Sequence, residues 1–270
     1  MKRAGAALLA LAAGTALPQQ AEQPGPGDAG APDSPPRSIA RDHHTRVEIK
    51  RWMTSRGTPD ESTRTTLRMD RLLDGPVALL RLDLPLPDED TDFNGSPFEP
   101  HLGDIKARVG FRPLKSGSLR FPSFVEVTFP TADPETLGTG KYQLGVGVRM
   151  LAPVQMPFLQ ASTHRTLFET QLQQVGSVAG DPERKDIHVT KIEITLNDVW
   201  QGRYTTRLKL KPNIDWEKDG KSGAVAEIEA GLLFAQHWRT WLMLGRRVWG
   251  PDDIQGTYST RVELGLSRLH

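Results

Sequence analysis

Residues 142–150 read Tyr-Gln-Leu-Gly-Val-Gly-Val-Arg-Met, and their alternation is strict. Leu144, Val146 and Val148 share one parity, while Gln143, Gly145, Gly147 and Arg149 share the other. Successive side chains of a β-strand point to opposite faces of its sheet, so this segment has an aliphatic face and a face of glycine and polar groups. The run exceeds the roughly 5–6 residues usual for a strand in a globular protein.

The same pattern returns on both sides of it. Val47 and Ile49 alternate with Arg46, Glu48 and Lys50; Leu67 and Met69 with Arg64, Thr66, Arg68 and Asp70; Leu80, Leu82 and Leu84 with Arg81 and Asp83. Ile105, Ala107, Val109 and Phe111 alternate with Lys106, Arg108, Gly110 and Arg112. Residues 119–129, 166–174, 187–196, 204–210, 224–234, 238–248 and 258–266 complete the series. No helical periodicity persists after Asp42. The chain therefore reads as all-β, with about 12 strands, each near the roughly 9–11 residues that a tilted transmembrane strand requires.

Which face is outside decides the class. A soluble sandwich buries its apolar face and presents a mixture of polar types to water. Here the polar face repeats charges and glycines strand after strand, and the other is aliphatic. The sequence predicts an antiparallel, transmembrane, up-and-down β-barrel in a bacterial outer membrane, apolar outside and closed so that no backbone edge meets lipid. The competing expectation is a soluble periplasmic β-sandwich that binds a ligand. A mean hydropathy of −0.44 suits the barrel, because half of each strand faces water.

Composition removes other classes. The absence of Cys excludes disulfide scaffolds, thiolate metal sites and Cys nucleophiles. Lys and Arg total 34 against 33 Asp and Glu, which is not the basic excess of a nucleic-acid-binding domain. At the N-terminus, Lys2 and Arg3 precede the apolar run 4–13 and the small residues Gly14 and Ala16, the pattern of a secretory signal. The expected organisation is a signal peptide over 1–21, cleaved near Ala16 or Ala21, a Pro-rich disordered leader over 22–41, and the barrel over 42–270.

Connection lengths give an independent check, since such barrels have short periplasmic turns and longer extracellular loops. Counting from the first strand, the odd connections (56–62, 85–104, 131–140, 178–186, 214–222, 249–256) are long, and the even ones (73–76, 114–118, 198–202, 235–237) are short. The connection 151–161, with Pro153 and Pro157, breaks the rule and reads as a periplasmic helix or an extended hairpin. The parity puts 88–98 and 133–139 outside the cell and 74–75 and 115–118 in the periplasm.

Two stretches carry a family resemblance: FPTADPETLGTGKYQLGVGV at 129–148, and VGSVAGDPERKDIHVTKIEITLNDVWQGRYTTRLKLKPNIDW at 175–216. The first is similar to the strand, glycine-bearing loop and strand of bacterial outer-membrane transporters related to the family named for the meta-pathway of phenol degradation. The second resembles that family's next hairpins, and the resemblance extends over roughly 82–269. It implies a channel or transporter inserted by the barrel-assembly machinery. The chain departs from the usual barrel ending, since it stops at Arg268-Leu269-His270 with no terminal Phe or Trp.

With the aliphatic face in lipid, parity fills the lumen with charges in which cations outnumber carboxylates. Arg108, Arg112, Arg149, Arg207 and Lys209 are the expected solute-facing cations, with Glu227 and Glu229 among the opposing carboxylates. A low-dielectric shell focuses such an imbalance on passing solutes. The expected function is passage of small anionic or aromatic solutes; the alternative is a barrel plugged by these same charges, with an enzymatic or structural role.

Catalysis is not expected: His43, His44, Ser162, Thr163 and His164 lie in no nucleophile motif. Nor is a metal or other cofactor, since adjacent His43 and His44 on a strand would point apart, and Asp88, Glu89, Asp90 and Asp92 read as a solvated loop. The aromatic residues Trp52, Phe129, Tyr142, Trp200, Tyr204, Trp216, Trp238, Trp249 and Tyr258 fall near strand ends, where a headgroup-level girdle is expected.

Overall fold

The computed structural model describes residues 45–55, 61–88, 100–155, 164–235, 237–251 and 253–270. The signal, the leader, His43, His44, Ser162, Thr163, Glu89, Asp90 and Asp92 lie outside them. The strands are β1 (Thr45–Thr54), β2 (Ser62–Leu72), β3 (Val77–Pro87), β4 (Lys106–Phe111), β5 (Leu114–Ser116), β6 (Leu119–Phe121) and β7 (Ser123–Thr128). They continue as β8 (Lys141–Val154), β9 (His164–Gly180), β10 (His188–Trp200), β11 (Tyr204–Asp215), β12 (Lys221–Phe234), β13 (Trp238–Trp249) and β14 (Thr260–Leu269).

Pro113 separates β4 from β5, and Pro122 separates β6 from β7. Proline has no N–H to give to the ladder, so each of these two staves is interrupted once, and the fourteen segments among the described residues make twelve staves. The alternation across 119–129 had predicted a single unbroken strand there. The expected connection 114–118 is tighter than the sequence suggests, because Leu114–Ser116 and Leu119–Phe121 pair as a hairpin around Gly117.

Every neighbouring pair is antiparallel. Strand β14 returns to β1, with Val47 opposite Arg268, Ile49 opposite Leu266 and Met53 opposite Val262, so the sheet closes on itself. Closure removes the unpaired edges that lipid cannot satisfy. Strands β8 and β9 pair out to Val154 and Thr166, which agrees with the extended-hairpin reading of 151–161; residues 156–163 of that connection lie outside the described residues.

Burial follows parity in the sense opposite to a soluble protein. Val47, Ile49, Met69, Leu80, Val146, Leu172, Leu208, Ile228, Leu244 and Leu264 are exposed, whereas Glu48, Asp70, Gln173, Glu227, Glu229 and Glu263 are buried. An outward aliphatic band on a closed sheet is stable only if its solvent is lipid. The chain is a transmembrane β-barrel of the outer-membrane type.

Two glycines on the inner face let aromatic rings lie flat against the wall. Phe124 faces Gly147 directly across β7 and β8, and Trp241 faces Gly265 across β13 and β14. A Cβ added at Gly265 would stand 2.0 Å from Trp241 Cζ2, and one at Gly147 would stand 2.4 Å from Phe124 Cζ. Phe129, Tyr142, Trp200, Tyr204, Trp216 and Trp249 are exposed near strand ends, as a girdle requires. Trp52 and Tyr258 are not part of it: Trp52 carries Arg64 and Arg261 over its ring, and Tyr258 is buried inside the wall.

Candidate functional site

The inner wall is a set of charge ladders. On one side Asp70 accepts from Arg46 (2.5 Å) and Arg81 (2.7 Å), and Arg68 grips Asp83 with two hydrogen bonds of 2.7 and 2.8 Å. Glu48 stands between Lys50 (3.6 Å) and Arg68 (3.5 Å). These partners are neighbours because antiparallel register places Arg68 opposite Asp83 and Asp70 opposite Arg81.

Four of the five expected solute-facing cations fall into three groups. Arg108 donates to Glu126 (2.5 Å), which faces it across β4 and β7, and its guanidinium stacks 4.0 Å from the centre of Phe124. Arg149 donates to Gln171 (2.7 Å) and lies 3.3 Å from Glu169. Arg207 and Lys209 stand on β11 opposite Glu229 and Glu227 of β12. Arg112 stands apart from all of them, exposed beyond the end of β4 where its own N–H donates to Pro76 O.

Glu227 and Glu229 organise the second wall. Lys211 Nζ is 2.8 and 2.7 Å from the two oxygens of Glu227, and Lys209 lies between Glu227 (3.6 Å) and Glu229 (3.5 Å). Glu229 also accepts from Arg239 of β13 and has Arg207 at 3.4 Å. The carboxylates are sunk beneath the cations: Glu227 and Glu229 side chains are 0% and 3% exposed, against 16% for Lys209, 25% for Lys211 and 37% for Arg207. A buried carboxylate held by charge-assisted hydrogen bonds contributes little to the surface that a solute meets.

The two ends of the lumen differ. Where the short turn 201–203 joins β10 to β11, a cavity of about 600 Å³ is lined from both parities, by the inward Glu169, Asn197 and Arg207 and by the outward His164, Thr166 and Asp198. At the other end residues 253–259 fold in as a strap against β11, β12 and β13. Ile254 is 2% exposed, Asn213 Nδ2 donates to Gln255 O (3.1 Å), Lys218 pairs with Asp253 (2.9 Å), and Tyr258 donates to Glu227 (2.5 Å). The sequence reading missed this strap. Its one signal was Gly245, whose bare inner face receives the Tyr258 ring.

No family model and no curated protein sequence matches the chain. Solved structures do. An outer-membrane channel from Pseudomonas putida F1 superimposes with a TM-score of 0.58 at 12% identity, over 91% of this chain and 100% of that one. The fold is that of bacterial outer-membrane channels. The NanC porin (TM-score 0.57, 8% identity) and the KdgM porin (0.52, 7%) each match over 83% of this chain and 98% of their own. At these identities the likeness concerns the fold.

Two polar sets outside the lumen complete the inventory. On the outward face at the turn end, Asp198 accepts from Thr166 (2.9 Å) and lies 3.1 Å from His164 Nδ1, with Trp200 beside the imidazole. Asp88 is bound to Arg51 (2.5 Å). Among the described residues no three His, Asp or Glu side chains converge as a metal site.

Proposed function

We propose that the barrel is a passive outer-membrane channel for small solutes and that its lumen favours anions. One observation carries this reading: on the β11–β12 wall the half-buried cations are more exposed than the carboxylates beneath them, so a solute meets ammonium and guanidinium groups in a nearly neutral chain. The low-dielectric shell enlarges that difference, and salt screens it over about 8–10 Å. A barrel of twelve strands lies between the roughly eight that side chains can fill and the roughly sixteen of open porins, so wall charges reach most of the cross-section. The likeness to channels and porins supports the channel role, and the sequences 129–148 and 175–216 support a relation to the family named for the meta-pathway of phenol degradation.

Reversal potentials across a planar bilayer in a salt gradient test it. The expected sign is that of anion preference, weakening at high salt, and Arg108→Gln, Arg149→Gln and Lys209→Gln together should move the potential toward zero. A cation-selective pore overturns the anion preference. A barrel that passes no current instead favours the plugged reading, which the paired ladders around Asp70 and Glu48 support.

A further inference from the structure

Among the described strands, β11 alone presents cations at three successive inward positions: Arg207, Lys209 and Lys211. Elsewhere the run is broken, by Glu48 between Arg46 and Lys50 on β1 and by Gly110 after Lys106 and Arg108 on β4. Inward positions on one strand repeat about every 7 Å along it.

The three cations are not held alike. Lys211 is bound closely by Glu227, at 2.7 Å. The nearest carboxylate oxygens to Arg207 and Lys209 are 3.4 and 3.5 Å away, longer than a charge-assisted hydrogen bond. These two adjacent groups therefore keep donor capacity directed at the lumen. The charge balance agrees: Arg207, Lys209, Lys211 and Arg239 surround Glu227 and Glu229, and β10 adds Glu193 and Lys191, one of each sign. Together these eight groups carry two more positive charges than negative ones.

We infer that Arg207 and Lys209, whose backbone positions stand about 7 Å apart on β11, form a docking site for short dianions such as linear dicarboxylates. This rests on the anion-preferring reading of the lumen and narrows it to one wall and one class of solute. Arg207 stands nearer the β10–β11 turn than Lys209, so a dianion entering the lumen from that end meets the guanidinium first and reaches Lys209 with its second carboxylate. A monoanion engages one group at a time.

Titration calorimetry on the full chain refolded in detergent, with the series acetate, malonate, glutarate, adipate and suberate, reads the site without requiring conduction. Glutarate or adipate should bind tightest. Arg207→Gln and Lys209→Gln should each lower that affinity about tenfold, the scale of one charge-assisted contact, and erase the length optimum. Arg46→Gln, on β1, should keep the optimum, and a heat-modifiable gel band verifies that each variant is folded. Equal affinity along the series, or an optimum that survives in both β11 variants, overturns the site. Anion-selective reversal potentials without a length optimum would remove the dianion site alone, whereas a length optimum in a barrel that passes no current would remove the channel reading alone.

Discussion

Tyr258 donates its hydroxyl to Glu227 Oε1 at 2.5 Å, joining the connection before β14 to an inward residue of β12. The same carboxylate holds Lys211, so one buried anion fixes both the strap and a member of the β11 cation row. The strap is thereby coupled to the charge that a solute would disturb.

Tyr258→Phe should loosen the strap while leaving the barrel closed. A hydrogen bond to a charged group contributes about 1.5–3 kcal/mol, and the ring still fits the bare face of Gly245. The expected outcome is a larger or noisier single-channel current and faster proteolysis within 253–259. Unchanged current and unchanged cleavage would show that Ile254 and Asn213 hold the strap by themselves.

The outer end of the strap should respond to acid only at low pH. Lys218, hydrogen-bonded to the strap at Asp253 and paired with its carboxylate, holds that carboxyl below its ordinary value. A depressed carboxyl contributes above its unfolded pKa and loses that contribution as pH falls through the lowered one. Strap cleavage should therefore be level from neutral pH down to the ordinary carboxylate range and rise only below it, and Lys218→Met should remove that rise. A transition near neutral pH would assign the effect to another group.

How much of this was readable in advance depended on whether a feature is periodic. Leu144, Val146 and Val148 against Gly145, Gly147 and Arg149 decided the outward face, and connection parity supported the up-and-down order, because both follow from one residue's position in its own strand. Pairing does not: the partnership of Glu227 with Lys211 and Tyr258 depends on register and on where a loop folds, which alternation leaves open. Trp52 and Tyr258 were misplaced for the same reason, since position near a strand end does not tell an inward ring from a lipid-facing one. Pro122 was visible within 119–129, but the alternation around it concealed the break.

Gly265→Val should destabilise the barrel through Trp241. The indole has no room to retreat, being 4% exposed, donating to Glu263 (3.1 Å) and lying under Arg239 (4.9 Å). Overpacking of this kind costs about 1–3 kcal/mol, read as a lower urea midpoint for loss of the folded gel band. Combining it with Trp241→Leu should restore part of the loss. A single variant as stable as the parent would show that the ring is free to move.

The orientation expected from connection length is open to a direct labelling test. A Cys at exposed Thr136 should be labelled on intact cells by an impermeant maleimide, and one at exposed Lys115 only after the outer membrane is opened. Labelling of the second but not the first on intact cells would invert the barrel.

The inside-out arrangement itself is tested by placing the same charge on either face. Val146 and Leu264 are 50% and 60% exposed on the outward parity of β8 and β14. Arg at either position must be desolvated by lipid, at about 2–4 kcal/mol near the midplane, so the assembled fraction should fall and the urea midpoint should drop. Asn197, on the inward parity of β10, donates to Glu169 (3.4 Å) and lines the cavity at the turn end. Asn197→Arg gains room, water and a nearby carboxylate, and should assemble like the parent. Heat-modifiability measured side by side for the three variants separates the faces. Equal loss in all three would mean that Val146 and Leu264 do not face lipid, and that the closed sheet buries its aliphatic band against something else.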